Sequence, residues 1–427
     1  MFATSISIST PVRNDAHLLT QLPSPHRPIA LTALTHPLVL PHTGAEPGEF
    51  KSSMLSLLRQ LLPEWTHVQD VSIEPITGGI TNELTLATPT SNPPGSAHPD
   101  ENKSNKSPSP VVVRVFGNGT DAFLDRGAEN RAVRALNAHG FGATCLGVFA
   151  NGRVEEALVN LRSMTPEEMP TPGGAAAVAG AMRRLHGLVD VASLEEGRTT
   201  RVIDKIAAAY KSTYRVLRDW HRWANEWDFD PAVAKARGTT VEAMRKTRDA
   251  LVGVSSGISL DELETQVETC RERLGVSSPY VLLHNDALPG NFMVNKDWRA
   301  DSGESPREMR TIDFEYMCVG PRGFDLANHF IEHAGFECDW SLLPDAKTRA
   351  RFYAAYSLAG DSDVDIDSLE MEVRLMTPVS HLWWGLWAVM QATRSTIDFD
   401  YMGYAAKRLQ KFHQTAIELY QSFGDSG

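Results

Sequence analysis

Leu282–Asn291 reads Leu-Leu-His-Asn-Asp-Ala-Leu-Pro-Gly-Asn, and it constrains the rest of the chain more than any other stretch. The apolar run from Tyr280 to Leu283 predicts a short strand that delivers His284, Asn285 and Asp286 to its end. Asn291 follows five positions after Asp286, and a second short apolar strand, preceded by basic residues, delivers Asp313. An acid that holds a hydroxyl, with an amide oxygen and a second acid that hold Mg²⁺, is what phosphoryl transfer requires. The structural alternative for Asp286 is a helix N-cap, a common use of Asp in a loop. Asn291 and Asp313 standing in register with it favour the catalytic reading. Such a site needs a nucleotide site and an acceptor site from the remaining chain.

Composition narrows the partners. A chain of 427 residues, 42% hydrophobic and 22% charged, can bury a large core and divide into two or three domains. A formal charge of −12 argues against nucleic acid or an anionic membrane, both of which demand a basic surface, and is compatible with a cationic substrate. The four cysteines are scattered without a C-x-x-C pair, which predicts reduced thiols instead of a disulfide framework or a zinc ribbon. No run is apolar enough to cross a bilayer; the best, Leu375–Met390, is interrupted by Pro378 and His381. The amino terminus lacks the charged flank and apolar core of a secretory signal, so a cytoplasmic location is expected.

Residues 1–48 are rich in Pro, Thr, Ser and Leu without sustained periodicity and predict a flexible arm. Phe50–Leu62 has helical spacing up to Pro63. Strands are predicted at Val71–Ile76 and Glu83–Ala87, flanking Thr77-Gly78-Gly79-Ile80-Thr81-Asn82. In that turn glycine lets backbone N–H groups approach phosphate oxygens, and Thr81 and Asn82 can add donors, although most such segments are plain hairpins. Thr88–Pro110 reads as a hairpin insertion with no core of its own. Val111–Phe116 resumes the sheet with Arg114 inside an apolar strand, either on an edge facing water or paired with an acid. Asp125–Ala138 predicts a helix, and strands around Gly147–Phe149 and Arg153–Leu158 close residues 49–158 as a β-rich lobe. From 159 to 427 the pattern is helical: Ala175–His186, Lys205–Trp227, Thr240–Val252 and Leu260–Leu274 lead to the opening motif. Phe324–Ala334, Asp345–Leu358, a helix pair over Leu369–Met390 broken at Pro378, and Asp400–Tyr420 follow it. A β-rich lobe followed by a larger helical one is an α+β, two-lobed layout.

Several separate stretches resemble one family. They are Gly78-Gly79-Ile80-Thr81-Asn82, Val111–Gly117 around Arg114, Gly152-Arg153-Val154-Glu155-Glu156, and His284-Asn285-Asp286 with Asn291. They continue with Ile312-Asp313-Phe314-Glu315-Tyr316, Gly323-Phe324-Asp325-Leu326-Ala327-Asn328-His329-Phe330 with Glu332, and Ser380-His381-Leu382-Trp383-Trp384-Gly385-Leu386-Trp387. In this order they resemble the choline/ethanolamine kinases, relatives of the aminoglycoside phosphotransferases within the protein-kinase-like fold. The resemblance implies ATP and Mg²⁺, with Asp286 as the base for the substrate hydroxyl and Asn291 and Asp313 as metal ligands. It implies nucleotide contacts from Gly79, Thr81, Asn82 and Arg114, the last paired with Glu129, and an adenine hinge over Glu156–Leu158. It implies an amino-alcohol site of Asp286, Tyr316, Glu332, Trp384, Trp387 and Tyr404, with cation–π attraction to the headgroup. Trp384 and Trp387 are three apart and share a helix face; Trp383 reads as core. Ala334-Gly335 stands where choline-preferring members carry a bulkier aromatic segment, so the resemblance implies ethanolamine as the better substrate, with some choline activity. That would make the reaction the first step of the CDP-ethanolamine route to phosphatidylethanolamine; a homodimer is compatible with the resemblance.

Other classes fit less of the chain. His329-Phe330-Ile331-Glu332-His333 spells H-x-x-E-H, which would suit a zinc hydrolase, but no downstream Glu stands out as third ligand and Asp286, Asn291 and Asp313 stay unexplained. A non-catalytic scaffold would not need the intact Asp286/Asn291/Asp313 set. A protein kinase would carry D-F-G and A-P-E, which are absent.

Overall fold

Apolar residues at helical spacing open the described part of the chain. The computed structural model describes residues 39–40, 47–76, 82–90, 107–116, 126–188, 278–360, 364–392 and 399–424. Helix α1 (Pro47–Leu61) buries Phe50, Met54, Leu57 and Leu58 on one stripe against an antiparallel sheet. The sheet comprises β1 (Asp70–Ile76), β2 (Asn82–Thr90), β3 (Val111–Phe116), β4 (Cys145–Phe149) and β5 (Gly152–Glu156), in the order β1-β2-β3-β5-β4. Val71, Val113, Val115, Phe149 and Val154 supply its side of the core. Leu40 also sits in this core, at 0% exposure, and exchanges two hydrogen bonds with the Asn151 side chain (3.0 and 2.8 Å). The stretch read as a flexible arm is thus pinned to the sheet at this residue. Helix α2 (Arg126–Ala138) lies between β3 and β4 in sequence. Strand β2 runs through Thr88–Thr90, so the insertion expected from Thr88 begins later; residues 91–106 lie outside the described residues.

Strand β6 (Leu161–Ser163) pairs with β8 (Phe292–Asn295), which pairs with β9 (Met309–Thr311), while β7 (Tyr280–Leu283) pairs with β10 (Cys318–Pro321). Around these two small sheets pack α3 (Pro172–His186), α4 (Arg322–Glu332), α5 (Ala346–Leu358), α6 (Ile366–Ala392) and α7 (Tyr401–Gly424). The helices expected over Lys205–Trp227, Thr240–Val252 and Leu260–Leu274 lie outside the described residues.

Pro378 does not break α6, contrary to expectation: a single helix runs from Ile366 to Ala392 with Pro378 inside. An interior proline forfeits a backbone hydrogen bond and costs about 3 kcal/mol. Val379, Leu382, Leu386 and Val389 on this helix are nearly fully buried between α4 and α7, and that burial exceeds the cost.

Gly323 fixes how closely α4 approaches α6. A Cβ there would meet the backbone carbon and oxygen of Glu372 at 2.8 Å, beside the buried Arg322–Glu372 ion pair. In an open helix Gly→Ala would stabilise by about 1 kcal/mol. Here overpacking reverses the sign, and Gly323→Ala is expected to lower unfolding free energy by about 1–3 kcal/mol, measurable by denaturant titration.

Candidate active site

Two left-handed residues shape the floor of the site. Strand β7 ends at Leu283, and Asn285 adopts φ 66°, turning the chain so that Asp286 projects from the loop. After β9, Asp313 adopts φ 65°. Asn and Asp tolerate this region better than other non-glycine residues. The two turns are tied directly: the Ile312 N–H donates to the Asn291 carbonyl at 2.9 Å.

Asp325, in the first turn of α4 and 0% exposed, holds the first turn. Its Oδ2 accepts the His284 N–H (2.9 Å) and the His186 Nε2 (2.9 Å), and its Oδ1 accepts the Asn285 N–H (2.7 Å). Burial raises its pKa, but the hydrogen bond and electrostatic attraction of His186, with the His284 N–H, outweigh that and hold the carboxyl below its usual range. His284 links the turns again: Nε2 bonds the Ile312 carbonyl (3.0 Å) and Nδ1 accepts the Asp286 N–H (3.2 Å). Burial depresses the His284 pKa, which suits the neutral tautomer those bonds require. The Asn285 amide donates to the Tyr316 carbonyl (2.8 Å) and to Cys318 Sγ (2.9 Å).

Asn291 Nδ2 donates to the Asp286 carbonyl (2.8 Å) and carboxylate (3.1 Å). Asp286, Asp313, Glu315 and Glu332 all line one cleft of about 540 Å³. Burial and then the charges of Glu332, Asp313 and Glu315 raise the Asp286 carboxyl well above its usual range. Such a concentration of carboxylates calls for cationic ligands. Asp313 Oδ1 is buried with no hydrogen-bond partner among the described residues, and the Arg114 guanidinium stands 3.9 Å away. An orphaned carboxylate oxygen beside the amide of Asn291 fits Mg²⁺, which takes one or two protein oxygens and completes its shell from phosphates and water.

One wall of the cleft is the sheet. Arg114 on β3 lies directly across from Arg153 on β5, a like-charge pairing that needs an acid. Glu155, two residues along β5 and so on the same face as Arg153, supplies it: Oε1 is 2.5 Å from Arg153 Nε and 3.4 Å from Arg114 Nε. Burial raises the Glu155 pKa, but the two arginines outweigh it and lower the carboxyl. The resemblance pairs Arg114 with Glu129; Glu129 is on α2 with its side chain outside the described residues, and among the described residues the acids beside Arg114 are Glu155 and, at 3.9 Å, Asp313. Glu156 and Leu158 line the cleft with Leu84, Val112 and Ile312. Gly79 and Thr81 lie outside the described residues, whereas Asn82 is buried and its amide donates to Glu315 Oε2 (3.3 Å).

The opposite wall is aromatic. Trp384 stands edge-on to Trp387 (centroids 5.3 Å apart) and to Tyr316 (5.4 Å). Trp387 Nε1 donates to the Tyr316 hydroxyl (3.0 Å), and Tyr404 lies 6.5 Å from Trp387. Burial raises the Glu332 carboxyl, and Arg408 partly offsets this. Trp383 is buried in the helical core, as expected. Ala334 and Gly335 do not line the cleft: Ala334 is buried, and Gly335 at φ 59° turns the chain so that Phe336 does, against Phe399 and Tyr404. The aromatic wall is therefore fuller than that pair of small residues implies.

The H-x-x-E-H spelling is a packing motif. His329 Nδ1 bonds the Ala287 carbonyl (3.0 Å) and its ring stacks on Phe352 (5.0 Å), bracing the loop after Asp286. Burial depresses His329 to about 4 and His333 to about 3, so both are neutral. No group of three or more His, Cys, Asp or Glu among the described residues is arranged to hold a metal, and Glu332 lines the cleft.

Sequence reading gave no role to Asp325, Glu155 or Glu315. An acid inside the apolar run Phe324-Asp325-Leu326-Ala327 was a usable signal, as was an acid two residues from a strand arginine.

The family model described as choline/ethanolamine kinase matches residues 73–413. The chain is 30% identical over 388 residues to a probable ethanolamine kinase of Arabidopsis thaliana, covering 89% of this chain and 87% of that one. It is 29% identical over 378 residues to probable choline kinase 2 of the same plant, with 85% and 91% covered. Its fold matches that of the Plasmodium vivax ethanolamine kinase with a TM-score of 0.61 at 23% identity, over 88% of this chain and 90% of that one. With a matching model over most of its length and its sheet joined to a helical region in the protein-kinase-like manner, the chain belongs to the choline/ethanolamine kinase family.

Proposed function

We propose that the protein transfers the γ-phosphoryl group of ATP to the hydroxyl of ethanolamine, giving phosphoethanolamine. One observation carries the reading: Asp286 shares a single cleft with Asn291, Asp313 and Arg114 toward the sheet and with Glu332, Trp384 and Trp387 toward the helices. Asp286 orients the hydroxyl and accepts its proton; the Asn291 amide fixes its rotamer. Arg114, itself held by Glu155, faces the phosphates, and Glu156–Leu158 receives the adenine. Asn291 and Asp313 would hold Mg²⁺, which would neutralise the phosphate charge. Glu332 accepts hydrogen bonds from the ammonium, while Tyr316, Trp384, Trp387 and Tyr404 exclude water and offer ring faces. Phe336 favours a second, weaker activity on choline, because it adds ring surface to the cation wall. Phosphorus NMR of ATP incubated with the protein and a panel of alcohols tests the reading: phosphoethanolamine is expected, and ATP turnover with no phosphorylated amino alcohol would refute it. A cytoplasmic enzyme is part of the same reading; Cys145, Cys318 and Cys338 are free thiols.

The acid cluster gives a pH prediction. Transfer needs the Asp286 carboxylate, so activity falls as pH falls through its pKa. That pKa is raised in the ligand-free protein, so the acid limb of kcat/KM is expected above the usual Asp range near about 4. Bound cations screen the cluster, so the limb of kcat lies at lower pH. Coincident limbs would contradict the arrangement.

A further inference from the structure

Tyr356, on α5, is 0% exposed and does not line the cleft, yet an unbroken line of buried hydrogen bonds joins its hydroxyl to the loop that carries Asp286. The hydroxyl lies 2.7 Å from Nδ1 of His186, the last residue of α3, and His186 Nε2 lies 2.9 Å from Asp325 Oδ2. The same carboxylate receives the N–H groups of His284 and Asn285, the two residues before Asp286. The roles along this line are fixed from its far end. Two backbone N–H groups can only donate, and Asp325 is held ionised, so it accepts throughout and His186 presents its N–H at Nε2. The Tyr356 hydroxyl has no other hydrogen-bond partner among the described residues, so its proton goes to the Nδ1 lone pair. The opposite tautomer would aim a lone pair at a carboxylate oxygen 2.9 Å away and leave the Tyr356 proton without an acceptor.

Resting on the phosphoryl-transfer reading above, we propose that Tyr356 is a positioning residue for Asp286: from outside the cleft its hydroxyl holds His186 in the one tautomer that donates to Asp325, and Asp325 so held keeps the Asn285 turn in place. Each link has one partner on each side, which makes the line a chain of constraints. Tyr356 orients the His186 ring, His186 orients the Asp325 carboxylate, and the carboxylate fixes two consecutive N–H groups of a left-handed turn. Asn285 at φ 66° holds a conformation that a non-glycine residue keeps only where its surroundings over-determine it. Loosening the far end of the chain therefore lets Asp286 wander from its productive place without removing any group that touches substrate. The effect belongs on kcat, because neither Tyr356 nor His186 lines the cleft that receives nucleotide and acceptor.

Steady-state kinetics of full-chain variants, with nitrogen NMR of histidine-labelled protein, tests this. Tyr356→Phe is expected to lower kcat about tenfold and leave KM for ATP and for ethanolamine within about twofold. Tyr353→Phe is the control: it removes a hydroxyl from the same helix, one that bonds Glu370 at 2.8 Å away from the chain of constraints, and is expected to leave kcat within about twofold. His186→Ala lowers kcat about a hundredfold, and His186→Gln, whose amide can donate to Asp325 and accept from Tyr356, recovers about tenfold of that. In the wild-type protein at neutral pH the His186 signal, assigned by its loss in His186→Gln, shows the proton on Nε2. Wild-type kcat in Tyr356→Phe, equal losses in the two tyrosine variants, or a His186 proton on Nδ1 would overturn the inference. If Tyr356→Phe does not fold, the His186 pair decides: recovery by Gln supports the inference, and equal kcat for Gln and Ala overturns it. Failure of the functional reading shows in the wild-type protein as no transfer to ethanolamine, whereas failure of this inference shows in the variants and the tautomer.

Discussion

Asp286→Ala is expected to reduce phosphoryl transfer by about a thousandfold or more while the protein still folds and binds ATP. Asp286 is half-buried, at the end of a loop, and its backbone bonds to His284 and Asn291 do not need the carboxylate. Removing it also removes one of four crowded acids, so stability should hold or rise slightly. The loss should fall on kcat, because the carboxylate acts on the hydroxyl in the transition state and makes no contact the nucleotide requires. A nucleotide-binding titration alongside kcat separates the two. Transfer retained within about tenfold would remove Asp286 from the mechanism, since a positioned base contributes at least about a hundredfold.

Asp325 is the second site of large effect, and it acts without touching substrate. Asp325→Ala would leave the His284 N–H, the Asn285 N–H and His186 without their buried acceptor. Stranding buried donors of a charged acceptor costs about 3 kcal/mol or more. The left-handed Asn285 turn would lose its clamp, and misplacing Asp286 by about 1 Å costs about a hundredfold in kcat. Because the folded pKa of Asp325 is depressed, its stabilisation is fully present above the unfolded Asp value of about 4 and is lost as pH falls below it. Asp325→Asn should therefore flatten the acid side of the stability curve as well as reduce kcat. Denaturation across pH 3–7, taken with kinetics at neutral pH, checks both; kcat and acid stability equal to wild type would contradict the clamp.

What could be read in the sequence was local. Asp286 and Asn291 are five positions apart in one loop, and Asp313 follows β9, the partner of the strand β8 that leaves that loop, so a short stretch of chain brings them together. The Trp384/Trp387 face follows from helical periodicity. The supporting contacts come from far along the chain and carry no local pattern. His186 and Asp325 are 139 residues apart, and Asn82 and Glu315 are 233 apart. The place of Phe336 was not legible for a backbone reason: left-handed Gly335 redirects the chain, so that Phe336 lines the cleft where the small Ala334-Gly335 pair does not. The break expected at Pro378 does not occur for a tertiary reason, because burial between two neighbouring helices outweighs a lost backbone bond. Leu40 looked like part of an unpatterned arm, and only its contact with Asn151 identifies it as core.

The most direct measurement of the central claim is kcat/KM of the purified protein for ethanolamine and choline, with ATP saturating and Mg²⁺ present. The arrangement of Glu332 among the rings predicts transfer to both and a clear preference for ethanolamine. A preference for choline, or no transfer to ethanolamine, would contradict it.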